Sequence, residues 1–174
     1  MTMDAQLAAL SARVGQTLEA RGLTLATAES CTGGWVAQLV THTAGSSAWF
    51  DRGFVTYSNE AKQDMLGVRP ETLAREGAVS LETAKEMAAG ALKNSKALIS
   101  LAITGIAGPT GGSPPGSVGG SSGKPVGTVC FSWCFRGEAP VYRRKRFGGD
   151  RESIRRQALI FALEELLALI AKKP

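Results

Sequence analysis

The 174-residue chain has one histidine, His42, and three cysteines, Cys31, Cys130 and Cys134, none in a CxxC pair. So few soft ligands at such spacings argue against a zinc site. An odd thiol count argues against a disulfide framework and points to a reducing compartment. Aromatic residues make up only 6% of the chain, too few for a stacking platform on single-stranded nucleic acid. No apolar run approaches a membrane span. The start, Met1-Thr-Met-Asp-Ala5, lacks the basic and apolar regions of a leader. The expectation is a metal-free, cofactor-free cytoplasmic protein of one domain over residues 1–174, long enough to bury a core. The net charge of +5 favours anionic partners, either nucleic acid or a phosphorylated metabolite.

The run Thr27-Ala-Glu-Ser-Cys-Thr-Gly-Gly34 carries the most information. It sets a hydroxyl, a thiol and two glycines at a strand-to-helix turn, where exposed amides can face an anion. If Ser30 caps the helix, His42 lies about 18 Å further along it and cannot serve as its base. Any hydrolase built here must work without a Ser-His pair. Ser30 has a plain alternative as a helix cap. Cys31 is a rival nucleophile, since a helix N-terminus favours a thiolate, and is otherwise buried packing. Glu29, next to Ser30 on the strand, points to the opposite face.

The pattern predicts helix over 4–21, strand over 23–28, helix over 32–43 and strand over 53–57. A short helix from Ser58 carries Lys62, a turn or two of helix spans 71–76, and Ser80 caps a helix to about Lys93. Residues 97–104 form a nearly continuous apolar run, a strand buried on both faces. Strands over 126–135 and 141–147 follow, and Asp150 caps a long final helix. This order implies an α/β fold, a three-layer α/β/α sandwich with a mixed sheet. A Gly/Ser/Pro-rich loop occupies about 110–124, with Ser113 to Gly123 composed like a flexible insert.

Lys62 is either a solvated helix lysine or a desolvated amine able to take a proton from Ser30. Tyr57 is either a core-edge residue or a proton relay. Ile103-Thr-Gly-Ile-Ala-Gly-Pro109 reads as a loop approaching a ligand, or as a tight turn. Gly123-Lys124 is not a P-loop: Val118 stands where its first glycine belongs, and Pro125 replaces the Ser/Thr. The basic run Arg143-Arg-Lys-Arg146, with Arg155 and Arg156 beyond it, suits nucleic acid, or a solvated strand that resists aggregation. Arg151, after Gly148-Gly-Asp150, could grip a phosphate with the helix amides.

Six blocks together carry a resemblance: Thr27–Gly34, Gly53-Phe-Val-Thr-Tyr-Ser-Asn-Glu-Ala-Lys62, Gly77-Ala-Val-Ser80, Gly105-Ile-Ala-Gly-Pro109, Lys124-Pro-Val-Gly-Thr128 and Gly149-Asp-Arg151. In this order, over nearly the whole chain, they resemble the CinA C-terminal domain family, whose stand-alone members are nicotinamide-nucleotide amidases. The resemblance implies hydrolysis of the carboxamide of nicotinamide mononucleotide to nicotinate mononucleotide and ammonia, in pyridine nucleotide recycling. It implies Ser30 as nucleophile, activated by Lys62 and Tyr57. Amides at Cys31, Thr32, Gly33 and Gly34 would hold the oxyanion. Thr104, Gly105, Ala107, Gly108 and Arg151 would bind the ribose phosphate.

The insert at Ser113 to Gly123 looks longer than the family's usual link. The N-terminal domain of larger members, with its pyrophosphatase activity, is not expected. The expected partner is a small nucleotide, with no nucleic acid and no membrane, and the assembly a homo-oligomer. The rival readings are a nucleic-acid-associated or damage-response module and an inactive scaffold of the same family.

Overall fold

The computed structural model describes residues 3–112 and 123–174. The elements run α1 (Met3–Ala20), β1 (Leu25–Glu29), α2 (Trp35–Val40), β2 (Phe50–Val55), α3 (Asn59–Leu66), α4 (Pro70–Glu76), α5 (Leu81–Lys93), β3 (Ile99–Gly105), β4 (Thr128–Phe135), β5 (Val141–Arg146) and α6 (Arg151–Ala171). The insert read at Ser113 to Gly123 lies, but for Gly123, outside the described residues.

The five strands form one mixed sheet in the order β2-β1-β3-β4-β5. β1 pairs parallel with β2 and β3, while β4 runs antiparallel to both β3 and β5. Helices cover both faces, completing the three-layer sandwich. On one side Leu10, Val14 and Leu18 of α1, Val36 and Val40 of α2, and Leu159 and Leu163 of α6 join Leu101, Ile103 and Phe131 of the sheet in the larger core. The recurrence of leucine and valine every three or four residues puts them on one stripe of α1. On the other side Leu66 of α3, Leu73 of α4, and Met87 and Ala91 of α5 pack on Ala28 and Ala102. Gly90 belongs to this contact: a Cβ there would stand 1.9 Å from the Leu66 carbonyl oxygen, so only glycine lets α5 approach α3 this closely.

β3 and β4 are buried along almost their whole length, as the continuous apolar runs require of strands covered on both faces. β5 is an exposed edge, opposite β2, and carries Arg143-Arg-Lys-Arg146.

The sheet order decides where a ligand can sit. From β1 the chain crosses to β2 on one side. It then returns across β1 to β3 on the other. The crevice beyond the carboxyl ends of β1 and β3 is therefore the topological switch point of the sheet.

Candidate active site

At that crevice the ladders run on past the strands. Ser30 N–H donates to the Ile103 carbonyl at 3.0 Å, and Thr56 N–H to the Glu29 carbonyl at 2.8 Å. Ser30 and Thr56 thus stand side by side where the parallel strands end. Ser58 caps α3, its hydroxyl accepting from Ala61 N–H at 3.0 Å. Lys62 and Leu66, one turn apart on α3, both face inward.

Lys62 is only 1% exposed. Its Nζ donates to Ser30 Oγ at 3.0 Å and to the Thr56 carbonyl at 2.7 Å. Burial without a carboxylate partner penalises the ammonium and pulls the lysine pKa from 10.5 down to about 8; the neighbouring Cys31 pushes weakly the other way. The alternative of a solvated helix lysine is ruled out by this placement.

Two readings of the turn are corrected. α2 begins at Trp35 rather than at residue 32, and Ser30 does not cap it. Gly33 and Gly34 take left-handed conformations, φ 60° and 95°, so the chain swings through a non-helical turn first. The free amides of α2 go to Glu29, whose carboxylate accepts from Val36 N–H at 2.8 Å and Ala37 N–H at 3.0 Å. A carboxylate at a helix N-terminus is favoured by both hydrogen bonding and the helix dipole. Strand alternation turns Glu29 away from Ser30, and the alternation alone does not reveal this capping role. Of the two readings of Cys31, buried packing is the one the structure bears out: its thiol is buried and desolvation pushes it up to about 12, which disfavours a thiolate.

A cavity of about 410 Å³ opens over the pair. Ser30, Lys62 and Tyr57 line it with Cys31, Thr104, Gly105, Ala107 and Arg151. Thr32, Gly33 and Gly34 stand behind it rather than on its wall, because the turn carries them toward α2 and α6. Gly108 is behind it too, with its carbonyl accepting from Arg151 Nη1 at 2.7 Å. The fork's other arm, Nη2, donates to the Tyr57 hydroxyl at 2.8 Å. Tyr57, 61% exposed, therefore meets Arg151 at the mouth, and the direct partner of Ser30 is Lys62.

The remaining wall includes Ile106 of the quoted Gly105–Pro109 loop, and Ala78, Val79, Thr110 and Gly111, which are not among the expected site residues. Ala78 and Val79 lie inside the quoted Gly77–Ser80 block. The Thr104 hydroxyl donates to the Ala78 carbonyl at 2.8 Å and joins that wall to β3.

Among the described residues no group of three or more His, Cys, Asp or Glu stands together. No helix among them is long and apolar enough to cross a membrane.

Fold and site define a three-layer α/β/α protein with a serine hydroxyl held on a buried amine in its switch-point crevice. The chain belongs to the CinA C-terminal domain family, whose model matches residues 7–170. It is 57% identical over 164 residues to the nicotinamide-nucleotide amidohydrolase PncC of Escherichia coli strain K12, covering 94% of each chain. Among solved structures it is similar to the competence/damage inducible protein CihA of Agrobacterium tumefaciens, with a TM-score of 0.87, 47% identity and 94% of each chain covered. It is also similar to the competence damage-inducible protein A of Klebsiella pneumoniae, with a TM-score of 0.89 and 42% identity over 97% of this chain and 99% of that one.

Proposed function

We propose that this protein hydrolyses the carboxamide of nicotinamide mononucleotide, releasing nicotinate mononucleotide and ammonia for reuse in pyridine nucleotide recycling. The observation that carries the reading is the 3.0 Å contact between Ser30 Oγ and the buried Lys62 Nζ. The high identity to the Escherichia coli amidohydrolase supports the choice of substrate.

The steps follow from the charge state. A neutral Lys62 keeps one N–H on the Thr56 carbonyl and turns its lone pair to Ser30. It takes the hydroxyl proton as Ser30 Oγ attacks the carboxamide carbon. The Cys31 amide, the one of this turn at the cavity wall, stabilises the oxyanion, while Gly33 N–H stays on the Ser30 carbonyl. When the tetrahedral intermediate collapses, the C–N bond breaks and Lys62 passes the proton to the departing nitrogen, which leaves as ammonia. Water attacks the acyl-enzyme, Lys62 takes its proton, and the acid is released with Ser30 restored. Arg151 stands at the mouth with Tyr57, where its charge attracts the substrate's phosphate. Gly105 and its neighbours Thr104 and Ala107 form the side that receives the ribose, with Gly108 behind them holding Arg151.

The basic run fits a solvated edge better than a nucleic-acid face. Arg143 pairs with Glu165 at 3.1 Å, and Lys145 lies over the Phe161 ring at 5.0 Å.

The test is ammonia release from nicotinamide mononucleotide by purified protein in excess chelator. Wild type and Cys31→Ser should turn over and Ser30→Ala should not. Turnover by Ser30→Ala, or activity that requires added Zn²⁺, Mg²⁺ or Mn²⁺, would end the reading.

A further inference from the structure

The turn that carries Ser30 is pinned at both ends. At its start Ser30 N–H is tied to β3, and at its far end Val36 and Ala37 are held by Glu29. Between them, Gly33 N–H closes back on the Ser30 carbonyl at 3.0 Å. One side chain takes the next two carbonyls, those of Cys31 and Thr32, the second of which also accepts from Trp35 N–H at 3.1 Å. Arg155, one helical turn beyond Arg151 on α6, donates from Nε to the Cys31 carbonyl and from Nη2 to the Thr32 carbonyl, each at 3.0 Å. Its guanidinium lies 5.3 Å from the centre of the Trp35 ring, which restricts the fork to one plane.

A trans peptide holds its N–H antiparallel to its C=O. With the Cys31 carbonyl drawn onto α6, the N–H of the same peptide group, that of Thr32, is turned away from α6. Cys31, the residue before it, lines the cavity beside Ser30. Two glycines at positive φ leave this stretch free to adopt other shapes, so the peptide planes need an outside hold.

We propose that Arg155 is the positioning residue of the oxyanion turn: by gripping the Cys31 and Thr32 carbonyls it fixes the turn that follows Ser30, and so holds the Cys31 amide, at the cavity wall, where it meets the oxygen of the tetrahedral intermediate. The inference rests on reading Ser30 as the nucleophile. Arg155 itself touches no reacting atom. A lysine cannot reproduce it, because one ammonium does not present two N–H groups in a fixed fork.

The experiment uses a small alkyl fluorophosphonate, which needs no nucleotide. Ser30 Oγ attacks phosphorus, the P–F bond breaks, fluoride leaves, and the hydroxyl proton goes to Lys62. The phosphoryl oxygen occupies the place of the oxyanion. Labelling of Ser30 is followed by mass. Arg155→Ala and Arg155→Lys should label roughly 100-fold more slowly than wild type, the scale of a group misplaced by an ångström. The pH midpoint of labelling should stay that of wild type, because Lys62 is untouched. Guanidinium ion at low millimolar concentration should restore much of the rate in Arg155→Ala. With the nucleotide, kcat should fall by a similar factor at nearly unchanged KM.

Labelling of Arg155→Lys at the wild-type rate would overturn the proposal, as would failure of guanidinium to rescue Arg155→Ala. A wild type that labels at Ser30 but does not deamidate the nucleotide would sink the substrate reading alone.

Discussion

Two basic regions of the molecule behave in opposite ways. On β5, Arg143, Arg144, Lys145 and Arg146 stand in water at the sheet's edge. In the crevice, Lys62 stands alone in the interior on a serine hydroxyl and a carbonyl. The first region has four cations and solvates them. The second has one buried cation, Lys62, with Arg151 at the mouth, and burial pulls the Lys62 pKa down to about 8. A count of basic residues points to β5; the chemistry follows burial. The comparison teaches that a charge becomes reactive where the fold withholds both water and a counter-ion.

The sharpest way to break the comparison is to remove the nucleophile that the buried amine serves. Ser30→Ala should lower turnover by at least about 10⁴-fold, the scale for losing a hydrolase nucleophile. Cys31→Ser, one residue on, should keep most of its turnover in the same ammonia assay. The reverse pattern would move the chemistry to the thiol.

Next in size is the amine. Lys62→Ala should cost roughly 100-fold or more in kcat, as for a general base. Lys62→Arg should not recover it, because a guanidinium stays protonated. Near-normal turnover in Lys62→Arg would show that the site needs only charge.

The same burial should appear in stability. The folded lysine sheds its proton near pH 8, while the unfolded one holds it to 10.5. Between those values the unfolded chain binds more protons, so stability rises with pH across the window. The penalty is full below about pH 8 and is at most about 3 kcal/mol. Lys62→Met should therefore be more stable than wild type at pH 7 by roughly 1–3 kcal/mol, less whatever its lost hydrogen bonds contributed. Its advantage in urea unfolding should shrink between pH 8 and 10.5. An advantage that does not change with pH would mean that the ammonium is not strained in the fold.

The smallest effect belongs to the edge. Arg144→Gln with Arg146→Gln should change kcat/KM by less than about twofold and stability by no more than about 0.5 kcal/mol. A large loss of activity would give β5 a part in substrate capture.

Much of the fold was legible, because the physical cause lay in nearby residues. Ser58, Ser80 and Asp150 each cap the helix expected of them. The apolar run ending at Thr104 is a strand covered on both faces, as its lack of alternation implied. The Ser30–Lys62 contact spans 32 residues of sequence. Its two residues were legible as candidates because each follows a strand, and parallel strands end side by side.

What stayed hidden depends on distant partners. The helix after Ser30 starts late because Glu29 and the two glycines shape the turn, and a serine before glycines looks like an ordinary cap. Arg155 reaches that turn from 124 residues away, and in sequence it reads as one more charge on a basic helix. The Arg151–Tyr57 contact crosses 94 residues and gives no local sign.

The central claim is that a lysine whose pKa burial lowers draws the proton from Ser30. Its most direct test is the pH dependence of kcat/KM for ammonia release from nicotinamide mononucleotide by the wild-type protein, followed from pH 6 to 10. The base works only when unprotonated, so the rate should climb about tenfold per pH unit and level off near pH 8. A profile flat through pH 8, or one that falls as the lysine loses its proton, would contradict the account.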